Sequence, residues 1–227
     1  MIHAKTKYVW SGSIRSLHWL TFLSVLILLV TGNYIAHTPE YVHPTGEPYQ
    51  NFFMAEMRFI HFVAAIVFDV AIIISIYLIF FSDFHAPWRD LIPNKTNLKK
   101  AWIQLKYYFR LSGEKVDYEY EDPVDIISWL SFHILAILLM LSGFGLYVAS
   151  FSMDWWWPKL LHLSTDWIVW LFGGLQGIRV AHHAMWWLII IWILVHVYFQ
   201  IWKTIKLKTG SIDAIFGGYR YFKVKNQ

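Results

Sequence analysis

Polar and apolar residues alternate along this chain in long blocks. Four predominantly apolar stretches, spans 1 to 4, cover residues 17–36, 59–81, 124–150 and 184–205. Each is long enough to cross a hydrocarbon core of about 30 Å as a helix. No small-residue cleavage site follows span 1, so we expect a retained span rather than a signal peptide. The pattern predicts an all-α integral membrane protein, a four-helix bundle forming a single domain over residues 1–227.

The composition and the distribution of basic residues support this architecture. The chain is 57% hydrophobic, 19% aromatic and only 15% charged, as expected where the bilayer is the solvent. Of its 19 Lys and Arg residues, 16 lie before span 1, between spans 2 and 3, or around and after the end of span 4. This bias predicts that both termini and the 82–123 loop are cytoplasmic. The net charge of +4 reflects topology and gives no reason to expect nucleic acid as a partner.

Two segments outside the spans are rich in aromatic residues. Residues 97–111 mix basic and aromatic side chains, which is typical either of a helix on the membrane surface or of a solvated connector. Residues 153–174, on the predicted outer side, are rich in tryptophan. We expect this segment to lie at the headgroup level or to pack on a partner protein.

Histidines are the main candidates for metal ligands. The chain has no cysteine, which excludes disulfides, thiolate-bound iron–sulfur clusters and covalently attached haem. His18 and His196 lie near the predicted cytoplasmic ends of spans 1 and 4, whereas His61 and His182 lie near the outer ends of spans 2 and 4. Two pairs at two depths are what two haems need, each with a histidine on either side of its iron.

Helix geometry distinguishes between two adjacent histidines at the start of span 4. From His182 to His196 a helix rises about 21 Å and turns by about 1400°, only about 40° short of four full turns. Both side chains therefore face the same way, whereas His183 lies on nearly the opposite face. This geometry predicts that His182, and not His183, is the ligand.

The number of matched histidines strengthens this interpretation. A single histidine near a membrane interface usually hydrogen-bonds water or a backbone carbonyl, but ionisable groups within a membrane are costly and tend to be functional. Neutral imidazole suits iron, and two such ligands fill both axial positions of a haem. A haem closed in this way carries electrons and has no open position for oxygen.

An arginine precedes three of these histidines by three residues. The pairs are Arg15 and His18, Arg58 and His61, and Arg179 and His182. This spacing puts each arginine one helical turn nearer the interface, where it is placed to bind haem propionates. We assign Arg58 and Arg179 to the outer haem and Arg15 to the inner haem. The alternative is that these arginines only extend toward the headgroups.

Other polar or small residues within the spans have several interpretations. His133 has no obvious histidine at its depth with which to pair. It is therefore either a hydrogen-bonded core residue or part of a proton path. Asp69 is an unusual intramembrane acid, which we expect to be protonated or to face the bundle interior. Gly143 and Gly145 allow close approach of a helix or of a flat macrocycle, and helix packing alone explains them more simply.

Several of these motifs, in order along nearly the whole chain, resemble those of the cytochrome b subunits of membrane-bound nickel–iron hydrogenases. They are "IRSLHWLTFL…VTGNYIA", "MRFIHFVAAIVF", "SGFGLY", "HHAMWWLIIIWILVHVY" and the terminal "GGYRY". The His182 to His196 spacing and the HVY ending are the most specific features. Related cytochrome b anchors serve formate dehydrogenases and thiosulfate reductases and share the haem plan.

The resemblance implies a dihaem membrane anchor in the bacterial inner membrane. Its partners would be a hydrogenase small subunit with iron–sulfur clusters and a large subunit with nickel and iron, docked on the outer face. Electrons would pass through two haem b groups to quinone, as part of a hydrogen:quinone oxidoreductase in a respiratory chain. By position, His18, His61, His182 and His196 match the family's haem ligands.

The chain departs from this resemblance before span 3. Members of the family have a His-Asn-Pro stretch near the quinone site, where this chain has Glu121, Asp122 and Pro123. A carboxylate there is able to exchange a proton with quinone, so the candidate quinone residues are Asp122, Asp125 and Ser128. The alternative is that Asp122 or Asp125 caps span 3, with Pro123 in its first turn.

Two further functions remain open on the sequence alone. One is a free-standing dihaem oxidoreductase of the cytochrome b561 type, although the tryptophan-rich outer segment favours a docked partner. The other is a haem-free transporter or sensor that uses histidines for protons or metal ions. The haem content of the purified protein distinguishes the last from the first two.

Overall fold

The computed structural model describes residues 4–37, 52–81, 94–116, 122–149, 151 and 153–223. Helices dominate these residues. In chain order they are α1 (Gly12–Ala36), α2 (Phe53–Phe81), α3 (Lys95–Tyr108), α4 (Pro123–Val148), α5 (Trp156–Leu171), α6 (Leu175–Trp202) and α7 (Ser211–Gly217). A π-helical turn over Lys203–Leu207 extends α6. Glu121, the first residue of the stretch before span 3, lies outside the described residues.

Four helices are long and apolar enough to cross a membrane. They are α1, α2, α4 and α6 with its π-helical extension, which confirms the four predicted spans of an integral membrane protein. Helix α6 begins at Leu175, before the apolar run of span 4 that starts at Ala184. A helix continues through its polar first turns, whereas hydropathy registers only the apolar run that follows. Arg179 and His182 therefore lie within the helix.

The segment between spans 2 and 3 contains α3, so a helix is present there, and its position on the membrane surface stays a prediction. Asn94 caps its start, because its side-chain oxygen accepts a hydrogen bond from the backbone N–H of Asn97 at 2.8 Å. The helix ends where Arg110 adopts a left-handed conformation with a φ of 58°. The backbone N–H of Leu111 then bonds the carbonyl of Lys106, which is a Schellman ending.

The tryptophan-rich segment forms α5, which has two different sides. Thr165 and Ile168 are buried, whereas Leu163 and Trp170 are more than 80% exposed. The buried side fits against Gly145 of α4, since a Cβ on that glycine would lie 3.1 Å from Val169. Gly145 therefore serves helix packing.

A small sheet, absent from the all-α prediction, joins the two ends of the described chain. Strand β1 (Ala4–Tyr8) pairs antiparallel with β2 (Tyr219–Lys223), and Tyr8 lies opposite Tyr219. The strands are too short and too mixed in polarity to be recognised from sequence, and they form because the chain brings both terminal segments together.

The chain divides into two compact units. The first comprises Met1–Arg15, Ile74–Ala136 and Ile189–Gln227, and the second comprises Ser16–Ile73 and Ile137–Leu188. Polar side chains are among the most buried in the first unit, notably Gln104, Asp122 and Lys203. In the second unit the apolar side chains of Ile168 and Ile178 are buried together with polar ones, such as Thr165 and the intramembrane acid Asp69.

Candidate functional site

His61 is held by a hydroxyl group from a neighbouring helix of the second unit. Its Nδ1 lies 2.9 Å from Oγ1 of Thr31, which is on α1. The Thr31 hydroxyl donates to the backbone carbonyl of Ile27 in the preceding turn, at 2.8 Å. The oxygen of that hydroxyl is therefore left to accept a hydrogen bond from His61.

His182 has the same arrangement on a different pair of helices. Its Nδ1 lies 2.8 Å from Oγ of Ser142, which is on α4. The Ser142 hydroxyl donates to the carbonyl of Leu139 at 3.0 Å. In both histidines a hydroxyl group is hydrogen-bonded to Nδ1, and no residue in the described part of the chain is hydrogen-bonded to Nε2.

A glycine follows each of these hydroxyl residues and leaves room for the imidazole. A Cβ on Gly32 would lie 3.3 Å from Cε1 of His61, and a Cβ on Gly143 would lie 3.5 Å from Cε1 of His182. Gly143 therefore does more than pack helices, because it lies against a candidate ligand. We call Thr31 with Gly32, and Ser142 with Gly143, the hydroxyl–glycine pairs.

The two histidines belong to one local cluster in the second unit. His61 and His182 lie within electrostatic range of each other. Trp186 closes the cluster beside Gly32, and its indole N–H donates to the carbonyl of Leu29 at 3.2 Å. The cluster places two imidazoles, two hydroxyl groups and two glycines on four spanning helices.

His183 faces a different environment from His182. Its ring stacks on Trp186 with centroids 5.2 Å apart, and it contacts His37 at 5.0 Å. These aromatic contacts account for a histidine at this position without a metal. The contacts agree with the predicted difference between the two residues, and the ligand role of His182 stays a prediction.

The other two predicted ligands lie in separate units. His18, in the second unit, is half-buried in the second turn of α1, beside the indole of Trp19. His196, in the first unit, stacks on Trp192 with ring centroids 4.7 Å apart and an interplanar angle of 10°. His196 also lies within electrostatic range of Asp125 and Lys203.

The three predicted propionate-binding arginines differ in their contacts. Arg58 and Arg179 are exposed at the starts of α2 and α6. Arg15 is half-buried, and its guanidinium donates to the carbonyl of Phe216 in α7. Arg15 therefore has a structural contact within the first unit, and a role in haem binding stays a prediction for all three.

His133 is a hydrogen-bonded core residue, as one of its two predicted interpretations requires. Its Nδ1 lies 2.9 Å from the carbonyl of Trp129, which only accepts, so Nδ1 carries the proton. Its Nε2 then accepts from the hydroxyl of Ser75 at 3.1 Å. Both ring nitrogens are used, which distinguishes His133 from His61 and His182.

A buried polar cluster occupies the first unit beside the end of α6. Lys203 lies 2.5 Å from both carboxylate oxygens of Asp125 and 3.9 Å from Asp122. Gln200 donates to Asp125 at 3.1 Å, and the hydroxyl of Tyr108 donates to Asp122. We call these five residues the carboxylate–lysine cluster.

Asp122 caps the start of α4, which confirms one of the two predicted alternatives for this residue. Its side-chain oxygen accepts from the backbone N–H of Val124 at 2.9 Å, and Pro123 is the first helical residue. Burial, with the charge of Asp125, raises the pKa of Asp122 to about 6 despite the opposing effect of Lys203. The predicted quinone role of Asp122, Asp125 and Ser128 stays a prediction.

Sequence reasoning missed the residues that support the histidines. Thr31 and Ser142 are each followed by glycine within an apolar run, in "VTGNY" and "LSGFG", and this repeated pair is the signal that was present. Lys203 resembles the many lysines that end a membrane helix. Only the fold reveals that it is 2% exposed and paired.

Comparisons with known proteins show the family to which the chain belongs. The family model described as prokaryotic cytochrome b561 matches residues 9–218. A "Probable Ni/Fe-hydrogenase B-type cytochrome subunit" of Azotobacter vinelandii is 30% identical over 95% of this chain and 89% of its own length. The protein of the same name in Cupriavidus necator is 29% identical over 96% of this chain and 88% of its own. The Escherichia coli "Probable Ni/Fe-hydrogenase 1 B-type cytochrome subunit" is 26% identical over 95% of this chain and 91% of its own length. The chain therefore belongs to the prokaryotic cytochrome b561 family, with the Ni/Fe-hydrogenase B-type cytochrome subunits as relatives.

Proposed function

We propose that the protein is the membrane subunit that carries electrons from a nickel–iron hydrogenase to quinone through two haem b groups. The observation that carries this proposal is the cluster of His61 and His182, each with its Nδ1 hydrogen-bonded to a hydroxyl group, so that Nε2 is the nitrogen proposed to bind iron. The names of the relatives support the hydrogenase and the type of haem.

The residues of the second unit fit a haem. The neutral imidazoles of His61 and His182 would hold the haem iron, and haem b needs no cysteine, which the chain lacks. Gly32 and Gly143 keep the space beside both rings free of side chains. When bound, the iron would change between its ferrous and ferric forms and so accept and donate one electron.

The ligands of the second haem are assigned from the sequence. His18 and His196 match in predicted depth, and the rotation along α6 directs His196 to the same side as His182. Arg15, Arg58 and Arg179 are the proposed partners of haem propionates. Arg58 and Arg179 are exposed near the helix ends that precede His61 and His182, which suits binding of a carboxylate.

The proposed partner is the hydrogenase, with its iron–sulfur small subunit and its nickel–iron large subunit. The relatives are named as hydrogenase subunits. Helix α5 presents Trp156, Leu163 and Trp170 in exposed positions, and exposed apolar patches of this kind mark interaction or membrane surfaces. The distribution of basic residues supports the proposal that α5 lies on the outer face of the bacterial cytoplasmic membrane, with both termini in the cytoplasm.

The proposed quinone site uses the carboxylate–lysine cluster with Ser128. Quinone reduction consumes protons, and Asp122 has a pKa of about 6, so this carboxyl group can hold or release a proton near neutral pH. Asp125 lies next to it and is paired with Lys203. Ser128 is one turn further along α4, where its carbonyl accepts from the indole of Trp192 at 3.1 Å.

Purification in mild detergent tests this function. We expect two haem b per polypeptide, a dithionite-reduced b-type spectrum and co-purification of a nickel-containing protein. Reduction of the haems by hydrogen, followed by their reoxidation on addition of a quinone analogue, would establish that electrons pass from hydrogen to quinone. Two haems without a nickel-containing partner would favour a free-standing oxidoreductase, and absence of haem would contradict the proposal.

A further inference from the structure

We infer that Thr31 and Ser142 are positioning residues that fix the protonation and orientation of His61 and His182, and thereby set the reduction potential of the haem between them. This inference rests on the proposed haem ligation. It adds two residues that contact the ligands and not the iron, and it assigns them a defined chemical effect.

The direction of each hydrogen-bond chain follows from counting donors. A hydroxyl group has a single hydrogen, and those of Thr31 and Ser142 are given to backbone carbonyls at 2.8 and 3.0 Å. Each hydroxyl oxygen can therefore only accept from the imidazole. Nδ1 of His61 and of His182 must then carry the proton, and the lone pair is on Nε2, the nitrogen that would bind iron.

The same chains determine how strongly the ligands donate electrons. In many metal sites the ligating histidine donates to a carboxylate, whose negative charge increases the basicity of the imidazole. Here each chain ends on a neutral carbonyl, of Ile27 or of Leu139. The imidazoles stay neutral and only moderately basic, which favours the ferrous form more than a carboxylate would. Neither hydrogen-bond chain contains a charged group.

The glycines of the hydroxyl–glycine pairs complete the arrangement. The hydroxyl fixes the ring at Nδ1, while the next residue has no side chain where the ring edge passes. A methyl group on Gly32, only 3.3 Å from Cε1 of His61, would push this ring away from the hydroxyl. The same combination occurs on α1 and on α4, and each serves a histidine of another helix.

Other hydroxyl groups in the chain provide matched controls. The Ser24 hydroxyl is buried on α1 and donates to the carbonyl of Leu20 at 2.8 Å, with the same helical geometry as Thr31. Ser75 contacts His133, whose two ring nitrogens are both occupied. Removal of either hydroxyl removes a comparable hydrogen bond without touching a proposed ligand.

The experiment compares Thr31→Val and Ser142→Ala with Ser24→Ala, Ser75→Ala and the conservative Thr31→Ser. Haem content, midpoint potentials from redox titration and the low-temperature electron paramagnetic resonance signals of the ferric haems are measured on the purified holoprotein. Loss of the acceptor makes the imidazole a weaker donor, so we expect one haem to become at least threefold easier to reduce. We also expect its resonance signal to shift, with the other haem unchanged.

The outcomes distinguish the inference from the proposed function. Thr31→Ser should keep the wild-type potential, and loss of haem from Thr31→Val but not from Thr31→Ser or Ser24→Ala would also support positioning. An unchanged potential and signal in both Thr31→Val and Ser142→Ala would overturn the inference. So would loss of haem from Thr31→Ser or an equal shift in Ser24→Ala. Full retention of both haems in His61→Ala would instead contradict the ligand assignment.

Discussion

The ammonium group of Lys203 lies 2.5 Å from both carboxylate oxygens of Asp125 and is only 2% exposed. A lysine at the end of a spanning helix normally extends into the headgroups. Here its charge is retained within the first unit, where a second carboxylate, Asp122, lies 3.9 Å away. Two carboxylates and one ammonium group therefore form a buried set whose members depend on each other.

Removal of the lysine charge should destabilise the protein strongly. Lys203→Met leaves Asp125 and Asp122 without their cation, and breaking a buried ion pair in this way costs about 3–5 kcal/mol. We expect a clear fall in the thermal unfolding midpoint in detergent. Lys206→Met, at an exposed position of the same turn, should change the midpoint little. A stable Lys203→Met protein would show that the pair contributes no net stability.

The raised pKa of Asp122 predicts how stability depends on pH. In the folded protein this pKa is about 6, against 3.8 for an ordinary aspartate, so the folded state binds the proton more tightly. The protonated Asp122 therefore stabilises the folded state, by an amount on the order of 3 kcal/mol. This stabilisation is fully present below about pH 4 and is lost as the pH rises through about 6. Among the described residues, the ionisable groups that face this carboxyl are Tyr108, Asp125 and Lys203.

Asp122→Asn removes this titration while keeping a side chain that can cap α4. As the pH rises from about 4.5 to about 7, the thermal unfolding midpoint of the wild type should fall relative to that of Asp122→Asn. Asp154→Asn, at an exposed position, should keep the wild-type pH dependence. Parallel profiles for the wild type and Asp122→Asn would mean that Asp122 does not titrate in this range.

Hydropathy was sufficient to predict the four spans because a bilayer requires long apolar helices. It did not predict where α6 begins, since Leu175 to Ala181 contains polar residues that a helix tolerates at a membrane interface. Nor did it predict the pairing of Tyr8 with Tyr219, which depends on bringing together residues from the two ends of the chain. Contacts between distant residues are set by the fold.

In the candidate site, too, features within one helix were predictable from the sequence, whereas contacts between helices were not. Helical periodicity separates His182 from His183 because both lie on one rigid helix. The hydrogen bonds from His61 to Thr31 and from His182 to Ser142 join different helices, and no periodicity within one helix reveals them. The recurrence of a hydroxyl residue followed by glycine was visible, but it gains meaning only beside the histidines.

The adjacent histidines of α6 provide a direct test of ligation. His182→Ala should lose one haem, since it removes an imidazole that lies with His61 and Ser142. His183→Ala should keep both haems, because this ring stacks on Trp186 and contacts His37. Haem per polypeptide, measured from the pyridine haemochrome in both variants, shows which of the two histidines is a ligand. Loss of haem only in His183→Ala would reverse the assignment.

The exposed arginines before His61 and His182 test the proposed binding of propionates. Arg58→Gln and Arg179→Gln each remove a cation that would pair with the negative charge of a haem propionate. A nearby positive charge favours the reduced iron, so its loss should lower the midpoint potential of that haem by an amount equal to a few-fold change in the reduction equilibrium. Lys159→Gln, an exposed change on α5, should leave both potentials unaltered. Unchanged haem content and potentials in the combined Arg58→Gln and Arg179→Gln variant would show that these arginines only interact with headgroups.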